Sequence, residues 1–187
     1  MKILKSLFLL SFAVLLLASC GDDDDNPTST NELDGEWTAI SFEVDAVSTI
    51  TIDGIDPSVT TSRIVASNLN YDLDLDGDNF TTMGDYTATL STEAAGISIP
   101  DQVSEFTNVS GSGEYTTDGN VISLSGSFFE LELDGVMMAD ITGPVDANFN
   151  IASNGQLTFT QDQVIEETQP GITSTATVMS TSVWERR

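Results

Sequence analysis

The chain has 187 residues, with 30 Asp and Glu against 5 Lys and Arg, no His and one Cys, for a formal net charge of -25. That length fits one domain plus ends, at about 100–200 residues per domain. The missing residue types exclude a Ser-His-Asp triad, a Cys-His dyad, a His-ligated zinc site and an internal disulfide, and so few basic residues cannot build a nucleic-acid surface.

Met1-Lys2-Ile3-Leu4-Lys5 is a short basic start, and Leu7 to Ala18 is apolar apart from Ser11. The run is too short to span a bilayer, which takes about 20 apolar residues. Its length suits the apolar core of a secretory signal. It ends Leu17-Ala18-Ser19-Cys20-Gly21, which resembles the lipobox of bacterial lipoproteins. The resemblance implies a diacylglycerol on the Cys20 thiol, cleavage before Cys20 and acylation of the new amine, palmitate among the acyl chains. Partners then include the membrane, through those chains, and the lipoprotein export machinery. Cleavage takes Lys2 and Lys5 with it and leaves Arg63, Arg186 and Arg187 as the basic residues.

Asp22-Asp23-Asp24-Asp25 follows at once. Four consecutive carboxylates cannot join a core, so the run is a solvated tether. It also resembles the surface-export signal of Bacteroidetes lipoproteins, which implies an outer-membrane location on the outer face. Asn26 to Asn31 continues as a polar, turn-prone linker. The expected organisation is a signal peptide over 1–19, a lipidated acidic tether over 20–32 and a β domain over 33–187.

From Gly35 the pattern has period two and is rich in Thr, Val, Ile and Phe, the signature of strands. Ile40, Phe42 and Val44 share a face. So do Leu69, Tyr71, Leu73 and Leu75, opposed by Asn70, Asp72 and Asp74. Phe80, Thr82, Gly84, Tyr86, Ala88 and Leu90 follow on one side of the next segment. Phe129, Leu131 and Leu133 face away from Phe128, Glu130 and Glu132, Leu157 pairs with Phe159, and a Thr/Ser/Val-rich segment runs from Ile172 to Glu185.

Asp53-Gly54, Asp76-Gly77, Asp118-Gly119, Asp134-Gly135 and Asn154-Gly155 punctuate these runs. Such pairs supply the positive φ of tight hairpin turns, so neighbouring strands should be antiparallel. The expected fold is all-β, an up-and-down antiparallel meander closing into a barrel of about eight strands, because closure removes unpaired edges. Two segments break the rhythm and read as long loops, Ser91 to Gly111 and Ser48 to Arg63 with Pro57.

Gly35-Glu36-Trp37 opens the first strand and resembles the Gly-x-Trp signature of lipocalins, more closely the lipocalin-like domains of Bacteroidetes lipoproteins. Leu75-Asp76-Gly77-Asp78-Asn79-Phe80, the run Gly113 to Leu124 and the closing Val183-Trp184-Glu185-Arg186 fit in the same order. The resemblance covers Leu33 to Arg187. It implies Trp37 at the closed end of a barrel beneath a late-strand Arg, for which Arg186 is the candidate.

Asp72, Asp74, Asp76 and Asp78 alternate along one segment. Read as a twelve-residue calcium loop from Asp72, position twelve is Met83 where a bidentate Glu belongs. A start at Asp74 puts Asp85 at twelve but Asn79 at the Gly position. The EF-hand reading fails; a solvated acidic strand face and a different calcium site on Asp74, Asp76, Asp78 and Asp85 stay open, and no other cofactor is implied. With 30 acidic residues, carboxylate pairs arise by chance, so no catalytic residue is assigned and the chain reads as a non-enzyme.

Two functions remain. A lipid-anchored envelope protein can hold a small apolar or amphipathic ligand, lined by Phe42, Tyr71, Phe80, Tyr86, Phe129 and Phe159. Alternatively those rings fill the barrel, and a surface structural or interaction protein results, with no small ligand. Replacing Cys20 with Ala should abolish metabolic palmitate labelling and release the protein from membranes. Replacing Asp22 to Asp25 with Ala should leave it lipidated but shielded from protease added to intact cells.

Overall fold

The computed structural model describes residues 32–129 and 145–187. The leader, Cys20, the tether, Leu131, Leu133 and the Asp134-Gly135 pair all lie outside them. A compact unit runs from Leu33 to Arg187. Its eight strands are β1 (Gly35–Ile52), β2 (Ile55–Asp76), β3 (Asn79–Ala94), β4 (Ile97–Asp118), β5 (Val121–Leu124), β6 (Val145–Ile151), β7 (Gln156–Gln169) and β8 (Ile172–Arg186). Each pairs antiparallel with its sequence neighbours, and β1 pairs with β8 to close the barrel.

The turn chemistry places the hairpins. Gly54, Gly77, Gly119 and Gly155 all take positive φ, at 80°, 62°, 61° and 83°, as tight antiparallel turns require. Two further turns, at Ala95-Gly96 and Pro170-Gly171, do the same with Gly96 and Gly171. The expected Ser91 to Gly111 loop is therefore a hairpin. Ala95 itself sits at φ 52°, a conformation that costs a Cβ-bearing residue energy and that its sequence does not advertise. Ser48 to Arg63 is likewise the β1–β2 hairpin, not a loop. Pro57 and Pro100 are tolerated because they fall where register shifts interrupt the pairing, between Ile50 and Ile52 on β1 and between Leu90 and Thr92 on β3.

Bulges correct the sequence phasing at two places. A shift between Ala39 and Ser41 turns Ala39 and Phe42 inward, so Ile40, expected on the core face, is exposed instead. The segment from Ser125 to Phe129 is not strand; Phe128 and Phe129 are both buried, where alternation had sent them to opposite faces.

The barrel has two unlike halves. β5 pairs β4 only over Tyr115–Asp118, and β6 pairs β7 only over Leu157–Thr160. Eight strands close the ring at that level. Beyond it β1 to β4, β7 and β8 continue, ending in the hairpins at Asp53-Gly54, Ala95-Gly96 and Pro170-Gly171. The closed half holds Leu33, Trp37, Leu73, Phe80, Ile122, Leu157 and Trp184, each no more than 1% exposed. There the Trp37 indole N–H donates to the Leu33 carbonyl at 2.8 Å.

Close approach of β2 and β3 requires glycine at position 84. Gly84 sits at φ 137°, and a Cβ there would stand 2.0 Å from the Asn70 carbonyl oxygen. The atoms it would meet, the carbonyl of Asn70 and the Cα of Tyr71, are all backbone and cannot swing aside. Gly84→Ala should therefore cost about 2–4 kcal/mol through overlap and strain. Urea unfolding should show this as a lower midpoint at unchanged slope.

Candidate functional site

The six aromatic residues singled out from the sequence come together in the barrel interior, all buried. Phe42 stacks on Phe129 with centroids 3.9 Å apart. Tyr71 meets Phe129 at 5.1 Å and Tyr86 edge-on at 5.2 Å. Phe80 and Phe159 join through Phe128, at 5.1 Å and 4.9 Å. Phe128 was not anticipated as an interior ring. It is the bridge, and Trp184 touches both Phe128 and Phe129, at 6.1 Å and 5.4 Å. Such ring pairs contribute about 0.5–1.5 kcal/mol each beyond their area burial.

A non-strand segment inside a barrel brings backbone polar groups with it, and these need partners. The Tyr71 hydroxyl donates to the Phe128 carbonyl at 2.7 Å and hydrogen-bonds the Thr82 hydroxyl at 2.9 Å. Thr82 is 3% exposed, so this is a closed polar contact among rings. The Ser127 hydroxyl donates to the Phe129 carbonyl at 2.8 Å. Together these bonds hold both phenylalanines down in the barrel.

The space left beside the rings is small. A cavity of about 50 Å³ borders Phe42, Phe129, Phe159 and Ser182. That admits a water or two, whereas sites for small organic ligands run to about 300–1,000 Å³. A larger recess of about 440 Å³ lies against Asp45, Val47, Thr61, Arg63, Glu93 and Asp101. Its lining also takes in Ala46, Ser62, Thr92 and Ile99, the alternate positions of the same strands, so it is not confined to the outer face of the sheet. It is open, and its lining is more apolar than polar. Arg63 there bonds Glu43 at 2.7 Å.

Above the rings, cross-strand partners form rows on the inner wall. Gln161, Ser180, Val44, Ile64, Leu90 and Gln102 make the first. Two residues on, Gln163, Val178, Ala46, Ser62, Thr92 and Ile99 make the second. Farther out Ile50 shares its row with Ser174 and Glu167, and the last row joins Ile55, Ile52, Ile172 and Gln169. The wall thus passes from aromatic to small and then to aliphatic. Period-two spacing of Ile50 and Ile52 is the signal that could have found this face.

At the opposite end the Arg186 guanidinium carbon stands 4.6 Å over the Trp37 ring centroid. Gly35 lies beside it at φ 133°, a conformation that favours glycine, and a Cβ there would stand in ordinary contact with the guanidinium at 3.7 Å. Arg187 pairs with Asp72 at 2.9 Å, and Asp72 also accepts from the Thr38 hydroxyl at 2.8 Å. At an exposed site the cation–π contact is worth about 0.5–1 kcal/mol.

The four carboxylates weighed as a calcium site are not gathered. Asp74 and Asp76 lie along β2 opposite Thr81 and Asn79, and Asp85 lies far up β3 opposite Asn70. Asp85 accepts the Asn108 amide at 2.7 Å. Among the described residues no group of three or more His, Cys, Asp and Glu stands close enough to hold a metal. The alternation that suggested a loop belongs to a straight strand face.

No protein-family model matches the chain, and no curated protein does. Among solved structures, the crystal structure of Ail, the attachment invasion locus protein of Yersinia pestis, aligns over 81% of this chain and 99% of that one, at 6% identity and a TM-score of 0.23. A score that low does not establish a common fold, and nothing about this chain is taken from it.

Phe129 makes the closest stacked contact of the cluster and also touches Trp184. Phe129→Ala should leave a cavity and cost about 3–5 kcal/mol. Chemical denaturation measures the loss, and the tryptophan emission of the folded variant should shift to the red.

Proposed function

We propose that this chain is a lipid-anchored protein of the bacterial outer membrane whose filled barrel is a rigid mount for contacts with another macromolecule. Support for the mount comes from the aromatic cluster, and the carrying observation is the cavity of about 50 Å³ beside it. Phe42, Tyr71, Phe80, Tyr86, Phe129 and Phe159 contact each other or Phe128. They are the filling of the barrel and do not line a ligand chamber. The anchor rests on the lipobox-like run ending at Cys20, and the outer face on Asp22 to Asp25. The surface carries a large negative charge, which repels nucleic acid and anionic lipid. Acyl chains on Cys20 would therefore make the membrane contact.

The chain enters the barrel at the closed end, at Leu33 and Gly35. The three long hairpins lie at the other end. The lipocalin-like reading fits the Gly35-Glu36-Trp37 start and the Trp37–Arg186 contact, and it is consistent with a barrel that has lost its interior chamber.

A second reading has one observation in its favour. The aliphatic rows on the inner wall of the open end offer a small amphipathic molecule a surface outside the filled core. Native mass spectrometry of the purified full chain separates the two readings. The filled-barrel reading expects a single species at the mass of the lipidated chain. A co-purified small molecule, removed by mild organic extraction and rebound on addition, would overturn it in favour of the second.

A further inference from the structure

We infer that the aliphatic strip at the open end docks a basic, amphipathic polypeptide segment of a partner protein. The inference rests on the filled-barrel reading and names the partner class for it. Ile50, Ile52, Ile55 and Ile172 lie on one face of three adjacent strands, with Ile52 directly opposite both Ile55 and Ile172. They are 43%, 39%, 62% and 43% exposed. A backbone bond from the Asp53 amide to the Gly171 carbonyl, at 3.0 Å, ties the two hairpin tips together. The strip is thus one continuous surface and not scattered side chains, and contiguous exposed apolar patches mark interaction sites.

Charge decides what can occupy it. Asp53 follows Ile52, Asp56 follows Ile55, and Glu167 shares the row of Ile50. Among the described residues the cations lie elsewhere. Arg186 and Arg187 are at the closed end, and Arg63 is on the outer face, bound to Glu43. A second copy of this chain would set acidic rim against acidic rim. An anionic lipid or fatty acid would meet the same repulsion. A segment with aliphatic side chains on one face and Lys or Arg beside them matches both features, and complementary potentials govern such encounters.

The test uses the full chain in zwitterionic-lipid nanodiscs. The probes are a synthetic amphipathic Leu/Lys peptide and a Leu/Glu peptide of the same pattern. The Leu/Lys peptide should bind, more weakly as salt rises, and the Leu/Glu peptide should not. The variant carrying Ile52→Ser, Ile55→Ser and Ile172→Ser keeps every charge. It should melt near the parent temperature, because these side chains are exposed, and bind roughly ten-fold or more weakly. Equal affinity of parent and variant would reduce the effect to bulk charge and overturn the inference, and so would binding of the Leu/Glu peptide. A dimer in sedimentation equilibrium that the triple variant abolishes would assign the strip to a second copy. Binding seen only after residues 130–144 are replaced by a Gly-Ser linker would assign it to that segment. Either result also overturns the inference. None of these outcomes adds or removes a co-purified small molecule in the native mass spectrum, so the filled-barrel reading fails or survives separately.

Discussion

An eight-strand barrel is just wide enough for side chains to fill, and here the filling depends on bringing Phe128 and Phe129 in on a stretch of chain that is not strand. Buried backbone without a ladder partner is costly. The Tyr71 hydroxyl meets that cost by donating to the Phe128 carbonyl at 2.7 Å. Phe129 can then stack on Phe42, and Phe128 can join Phe80 to Phe159. One tyrosine on β2 thereby couples the sheet to its plug.

The glycines of the closed half serve the same packing. Gly113 lies opposite Phe80, and a Cβ on it would stand 2.6 Å from the Phe80 ring. Gly84 lets β3 approach the backbone at Asn70 and Tyr71. These positions exchange side-chain bulk on one strand for a ring on the next. The interior there is packed by fewer, larger groups.

Carboxylates are spread over both ends of the barrel: Glu36, Asp74, Asp76, Glu114 and Glu185 stand at the closed end as well. Arg186 over Trp37 and Arg187 on Asp72 place cations at the end where the chain enters. The far end carries Asp53, Asp56 and Glu167 beside exposed isoleucines. Within about 10 Å at 0.1 M salt, such fields act on whatever approaches.

The sequence alone determined the class of the fold. Strict alternation with Asp-Gly and Asn-Gly turns specifies antiparallel neighbours, because only positive φ closes a two-residue hairpin, and Gly54, Gly77, Gly119 and Gly155 all take it. It also singled out six rings that meet inside, and the lipocalin resemblance suggested Arg186 as the partner of Trp37. It misread Ala95-Gly96, because alanine at positive φ carries no local signal and is held there by the pairing of β3 with β4. It misplaced Ile40, because a bulge reverses the faces of a strand without changing its composition. The contacts among the rings, the inward turn of Phe128 and the distance of Asp85 from Asp74 and Asp76 were decided by tertiary structure. Each depends on distances between residues far apart in the chain, and strand periodicity fixes only which face a residue shares, not what stands across from it.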